Sequence, residues 1–168
     1  REPMLAEGKV DSITGFSFSS YLNLVRLGVP EDDISTILMA DHGLSLYGNA
    51  IIVNTDYASK NKSAVESFLK ATAAGWKDAI EDSYSAAEAL IKRNPAADAK
   101  LEERRLLLAV EANVLTDYVL DNGMGMIDYT RMNKAIKQLG ETYEYTNTPD
   151  AALYFTDEFL PAGGFSIK

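Results

Sequence analysis

The chain has 168 residues, of which 46% are hydrophobic and 24% charged, a balance typical of a globular protein. Its net charge of −9 speaks against a nucleic-acid partner, because phosphate binding needs clustered Lys and Arg. Cysteine is absent, so disulfides, thiolate metal sites and cysteine nucleophiles are excluded.

Short apolar runs and turns alternate in the first third of the chain. Residues 10–14, 34–40 and 50–53 are predicted strands. A helix is predicted over residues 16–27, and Gly28 is a stop signal at its end. Because the predicted strands are apolar and a helix separates the first two, the pattern favours an α/β fold with a small parallel or mixed sheet. Such a small sheet would need partner strands.

The rest of the chain has a helical period. Ser85 with Glu88 has capping-box spacing, and Asn94 precedes a proline that stops the helix. One long helix is expected over residues 101–121. Asp128 is a predicted N-cap for a further helix. The chain is therefore expected to end in a helical C-terminal part.

His42 is the only histidine, and it follows an aspartate. A Gly-x-Ser-x-Gly nucleophile elbow is missing, and adjacent residues on a loop rarely orient one another. A hydrogen-bonding loop histidine is therefore favoured over a general base. We predict no catalytic residue, no metal site and no cofactor, and we expect that the protein is not an enzyme.

The turns after the first two predicted strands combine aromatic and polar side chains. In open α/β sheets, ligands bind beyond the carboxyl ends of the strands, where helix N-termini offer free N–H groups. The competing interpretation is ordinary capping and loop packing, and the pattern alone does not separate the two. The candidate ligand-binding residues are Phe16, Ser17, Asp41, His42, Tyr47 and Asn49.

Four segments resemble periplasmic solute-binding proteins of the nitrate, sulfonate, taurine and thiamine-pyrimidine group. They are residues 7–13 (EGKVDSI), 41–54 (DHGLSLYGNAIIVN), 61–71 (NKSAVESFLKA) and 156–161 (TDEFLP). Their order and spacing, which extend over nearly the whole chain, carry the resemblance.

This resemblance implies a type II periplasmic-binding-protein-like fold, in which hinge closure clamps a ligand between two α/β lobes. Residues 1–55 would be part of the second lobe with its return crossover strand, and residues 56–168 a helical region that packs on the lobes. The first lobe would be absent from this chain, which we therefore interpret as the C-terminal half, a fragment or a processed product.

The implied function is the substrate-binding component of an ABC importer that captures a small polar or aromatic nutrient. The implied partners are the small-molecule ligand, an ABC permease in the membrane, and the missing N-terminal lobe or a second chain. The implied location is the periplasm, or the cell exterior with a membrane tether.

Two alternatives stay open. The same fold resembles pyrimidine-precursor synthases, which use iron-dependent histidine chemistry and a Cys-rich motif; one His and no Cys disfavour that interpretation. The helical segment after residue 60 would also suffice for a cytosolic interaction module.

Overall fold

The computed structural model describes residues 1–44 and 46–167, and it is 59% helical. The α-helices of this part of the chain are α1 (Glu2–Ala6), α2 (Leu22–Arg26), α3 (Thr55–Lys60), α4 (Lys62–Glu81), α5 (Ser83–Arg93), α6 (Ala99–Ala109), α7 (Asp117–Asn122) and α8 (Tyr129–Thr142). Two π-helical turns cover Ser17–Tyr21 and Val110–Val114, and short 3-10 turns cover Glu31–Asp33, Met39–His42 and Ala151–Leu153.

The prediction of an α/β fold, a partial type II periplasmic-binding-protein-like fold with a small parallel or mixed sheet, is wrong. No strand forms among residues 1–44 and 46–167, apart from an isolated antiparallel bridge between Met124 and Phe165. An apolar run is compatible with a strand, but a strand is stable only where neighbouring strands pair with its backbone. Without such neighbours, Ile37 and Ile52 of the predicted strands are 76% and 91% exposed.

Side-chain caps explain where most of the helices begin. The side-chain oxygens of Asp82, Asp98 and Thr116 accept backbone N–H groups at the first turns of α5, α6 and α7. Asp128 accepts the N–H groups of two residues at the start of α8, so its prediction as an N-cap is confirmed. Each such cap is worth about 1 kcal/mol.

Two predicted helix boundaries are wrong for local reasons. Ser85 is not the cap of α5, because Asp82 accepts its N–H and its hydroxyl. The single helix expected over residues 101–121 is interrupted after the second π-helical turn, and Thr116 caps a new helix. The stop at Asn94 is confirmed, since α5 ends one residue earlier.

The described chain forms two compact units. The first unit contains residues 1–38 and 78–115, in which α5 packs against α6 and the π-helical turn at Ser17–Tyr21 also contacts α6. Its buried side chains include Leu22, Leu24, Ala87 and Val110.

The second unit contains residues 39–77 and 116–168. Ala58, Val65 and Phe159 form a buried cluster, against which Val53 and Leu69 pack. Helix α8 contacts the 3-10 turn at Ala151–Leu153. The assignment of residues 1–55 to part of a second lobe, and of residues 56–168 to a helical region that packs on the lobes, stays a prediction.

The helices are short or carry charges. In the part of the chain that the structure describes, none of them has both the length and the apolar character needed to cross a membrane.

Candidate functional site

The first candidate turn is built around stacked phenylalanines in the first unit. Phe16 has an extended conformation and occupies the N-cap position of the π-helical turn that Ser17 begins. The rings of Phe16 and Phe18 are stacked, with centroids 5.2 Å apart and planes 18° from parallel. Phe16 is 54% exposed and Ser17 is half-buried. The turn therefore presents a flat apolar surface beside a hydroxyl group.

Gly15 lets the chain approach this turn closely. A Cβ atom at Gly15 would lie 1.9 Å from Ser20 Oγ and 2.6 Å from Ser20 Cβ, so a larger residue would displace Ser20. The Ser20 hydroxyl donates to Glu2 at 2.7 Å. This hydrogen bond is the largest cause that lowers the pKa of Glu2 to about 2. The N-terminal helix is thereby joined to the turn.

A charged cluster joins the same region to α6. Arg104 donates two hydrogen bonds to Glu31, at 2.8 and 2.6 Å, and its guanidinium lies 5.7 Å from the centroid of the Tyr21 ring. The Tyr21 hydroxyl donates a short hydrogen bond to the same carboxylate. Arg104 first, and Tyr21 second, lower the pKa of Glu31 from 4.5 to about 2.

The pH dependence of this cluster can be tested. Since the folded state lowers the pKa of Glu31, the cluster stabilises the fold fully above pH 4.5 and loses this contribution as the pH falls towards 2. We expect Arg104→Met to raise the pKa of Glu31 towards 4.5, as measured by NMR titration of its carboxyl carbon. Arg26→Met, at the exposed end of α2, is the control and should leave that pKa unchanged. An unchanged pKa in Arg104→Met would contradict the cluster.

The second candidate turn lies in the second unit. Asp41 and His42 end the 3-10 turn that replaces the predicted strand end, and both side chains are exposed. Gly43 follows with a φ of +91°, a conformation that glycine adopts readily. Asn49 is exposed as well. Asp41, His42 and Asn49 are therefore accessible for hydrogen bonding.

Tyr47 is held by the start of α8. Its hydroxyl accepts the Asp128 N–H at 2.8 Å, and the Arg131 guanidinium lies 4.2 Å from its ring centroid. Arg131 also donates to the Leu46 carbonyl at 2.8 Å. One face of the Tyr47 ring is therefore stacked against a cation. Tyr118 lies nearby, and burial, together with Tyr47 and Asp128, raises its pKa.

A cavity of about 290 Å³ lies elsewhere in the second unit. It is formed by the end of α7 and the C-terminal segment, where Gly123 approaches Gly163 closely. None of the six candidate ligand-binding residues lines it. Its lining residues are Val119, Leu120, Asp121, Asn122, Gly123, Ala162, Gly163, Gly164, Ser166 and Ile167.

The structure therefore places the candidate residues in two groups. Phe16 and Ser17 lie together in the first unit, and Asp41, His42, Tyr47 and Asn49 belong to the second. That they bind one ligand stays a prediction. Across residues 1–44 and 46–167, no three His, Cys, Asp or Glu side chains are grouped so that they could share a metal ion.

Sequence reasoning missed the arginines that hold these turns. Arg105 of α6 donates to carbonyl groups of the first turn, and Arg131 of α8 holds Tyr47 of the second. The sequence offers one local signal for Arg105, which is its i,i+3 spacing from Glu102, since such an ion pair can fix the orientation of a long side chain.

Comparison with protein families gives one match. The model of the family described as NMT1/THI5 like matches residues 2–86, which is half of the chain and includes both candidate turns. Neither the curated proteins nor the solved structures contain a match.

Proposed function

Because the chain belongs to the NMT1/THI5-like family, we propose that it is the substrate-binding component of an ABC importer. It would capture a small polar or aromatic nutrient outside the cytoplasm. The observation that carries this proposal is the family match itself, because the matched residues include all six candidate ligand-binding residues. The coarser statement, that the chain is a solute-binding protein or a related family member, follows from the match directly.

The first turn supports an aromatic or otherwise flat ligand. The half-exposed ring of Phe16, stacked on Phe18, offers a planar apolar contact next to the Ser17 hydroxyl. Offset stacking of this kind contributes about 0.5–1.5 kcal/mol beyond the burial of area. Ser17 would donate to a polar edge of the same ligand.

The second turn supports polar recognition. Asp41, His42 and Asn49 are exposed, so a ligand can reach their hydrogen-bonding groups without rearrangement. The Asp128 N–H and the Arg131 guanidinium already hold Tyr47, so its ring would offer the ligand a rigid surface. A preorganised side chain loses little entropy on binding.

The exposed apolar segments favour a further protein partner. Ile37 and Leu38 are 76% and 47% exposed, and Ile51 and Ile52 are 55% and 91% exposed. Neighbouring large aliphatic side chains that are exposed together are typical of surfaces that another chain covers. We propose that this partner is the N-terminal lobe or a second chain.

We also propose that an ABC permease in the membrane accepts the ligand. The proposed location is the periplasm, or the cell exterior with a membrane tether.

Ligand titration tests the proposed site. In calorimetric titrations with taurine, nitrate and the pyrimidine precursor of thiamine, we expect one of them to bind the protein expressed with all flanking sequence that its gene encodes. Asp41→Ala should weaken this binding about 10- to 100-fold, because it removes a charged hydrogen bond. Tyr47→Ala should weaken this binding as well, because the aromatic ring that would contact the ligand is removed.

Two controls sharpen this test. Asp157→Ala removes another exposed carboxylate of the second unit and should leave the affinity unchanged. Tyr47→Phe keeps the ring and should retain more affinity than Tyr47→Ala. Unchanged affinity in both Asp41→Ala and Tyr47→Ala would remove the proposed site.

The enzymatic alternative follows from the same family, whose description includes THI5. Elemental analysis of the purified protein discriminates between the two functions. Stoichiometric bound iron would favour the synthase, whereas the import proposal expects a ligand and no iron.

A further inference from the structure

The π-helical turn at Ser17–Tyr21 is an unusual local structure that needs support. A π-helix closes hydrogen bonds over five residues, is rare, and is found mostly as single turns, often at functional sites. Here it follows directly on Phe16 and continues into α2. Its geometry fixes the direction in which Phe16 and Ser17 leave the backbone.

Arg105 binds this turn through several groups at once. Its Nη1 atom donates to the carbonyl oxygens of Phe18 and Ser19, at 3.1 and 3.3 Å. Its Nη2 atom donates to the side-chain oxygen of Asn23 at 3.4 Å. These hydrogen bonds join α6 to residues that are distant in the sequence, both in the π-helical turn and at the start of α2.

The guanidinium is also held by a carboxylate of its own helix. Arg105 Nε donates to a carboxylate oxygen of Glu102 at 3.0 Å, and both side chains are largely shielded, with 22% and 18% exposure. Arg104, the preceding residue, instead pairs with Glu31. The planar fork of arginine supplies five N–H donors in a fixed arrangement, which a lysine ammonium does not reproduce.

We propose that Arg105 is the positioning residue of the first turn, which holds the Phe16–Phe18 stack and Ser17 in the arrangement that meets the ligand. Only the ligand-binding part of this role rests on the proposed function. The structural part, that the guanidinium keeps the turn in its π-helical form, stands independently of it.

Hydrogen exchange of individual amides tests the structural part. In Arg105→Lys, which keeps the charge, we expect amides of residues 19–22 to exchange about tenfold faster or more, because the charged hydrogen bonds to the carbonyls are lost. The ring resonances of Phe16 and Phe18 should shift as the stack loosens. Amides of α5 in the same unit should keep their rates.

Asn23→Ala removes a single partner of the guanidinium and should give a smaller change in the same amides. It keeps the test decisive if Arg105→Lys folds poorly. Arg26→Lys, at the exposed end of α2, is the control and should change none of these rates. Unchanged exchange in the turn, or an equal increase throughout the first unit, would overturn the positioning role.

A binding measurement separates this inference from the proposed function. If taurine, nitrate or the thiamine pyrimidine precursor binds the wild-type protein, Arg105→Lys should weaken that binding about tenfold or more, and undiminished affinity would overturn the ligand part of the role. If none of the three binds the wild type, the import proposal loses its support for these ligands, while the exchange result still decides whether Arg105 holds the turn.

Discussion

Leu22→Ala is expected to lower the free energy of unfolding of the first unit by about 2–5 kcal/mol. Leu22 is the largest side chain with no exposed surface in the described part of the chain. Truncation would leave a cavity in addition to the lost burial. Because small proteins are stable by only about 5–15 kcal/mol, this loss is a large fraction of the total. Urea unfolding followed by circular dichroism at 222 nm measures it.

Leu107→Ala is the matched control for this prediction. Leu107 lies on α6 in the same unit but is 50% exposed, so the identical substitution should change the free energy of unfolding by no more than about 0.5 kcal/mol. Equal losses in the two variants would contradict the assignment of Leu22 to the core of the first unit.

Gly123→Ala is expected to separate the end of α7 from the C-terminal segment, which lie in close contact at Gly123 and Gly163. Gly123 has φ +83° and ψ 155°, a region essentially restricted to glycine, where another residue costs about 1–3 kcal/mol. An added Cβ would also lie 2.1 Å from the Gly163 carbonyl oxygen. The two segments would have to separate, and the paired backbone hydrogen bonds of Met124 and Phe165, at 2.8 and 2.9 Å, would break.

Thermal unfolding and hydrogen exchange at Met124 and Phe165 measure this effect. Gly75→Ala serves as the control, because Gly75 lies within α4 and an added Cβ would meet nothing within 4 Å. Alanine at that position should stabilise the helix by roughly 0.5–1 kcal/mol. Protected amides at Met124 and Phe165 in Gly123→Ala would show that the pairing of these two residues does not depend on glycine at position 123.

Local signals in the sequence predicted several helix ends correctly, although the start of α5 and the break after α6 were missed. Asp128 caps α8, and Gly28, with φ +89°, follows the end of α2, as their residue types indicate. Both features depend on a few neighbouring residues. The strands failed for the opposite reason, because pairing depends on neighbours that are distant in the chain or outside it. Apolar runs at residues 34–40 and 50–53 could not reveal whether such neighbours were present.

The candidate site could be predicted only in part. The sequence indicated the two turns and their aromatic and polar residues, and the family that it suggested is confirmed. Apart from the i,i+3 spacing of Glu102 and Arg105, it gave no sign that Arg105 and Arg131 hold these turns, because contacts between residues 82 to 87 positions apart leave no local pattern. Nor did it indicate that the start of α8 holds Tyr47 through the Asp128 N–H.

Mass spectrometry of small molecules carried through purification tests most directly whether this protein captures a solute. The protein should be expressed with all flanking sequence that its gene encodes and compared under native and denaturing conditions. We predict that denaturation releases one small polar or aromatic molecule per chain, and that Asp41→Ala carries less of it. A wild-type protein that releases no such molecule, and that takes up none of taurine, nitrate or the thiamine pyrimidine precursor, would contradict solute capture.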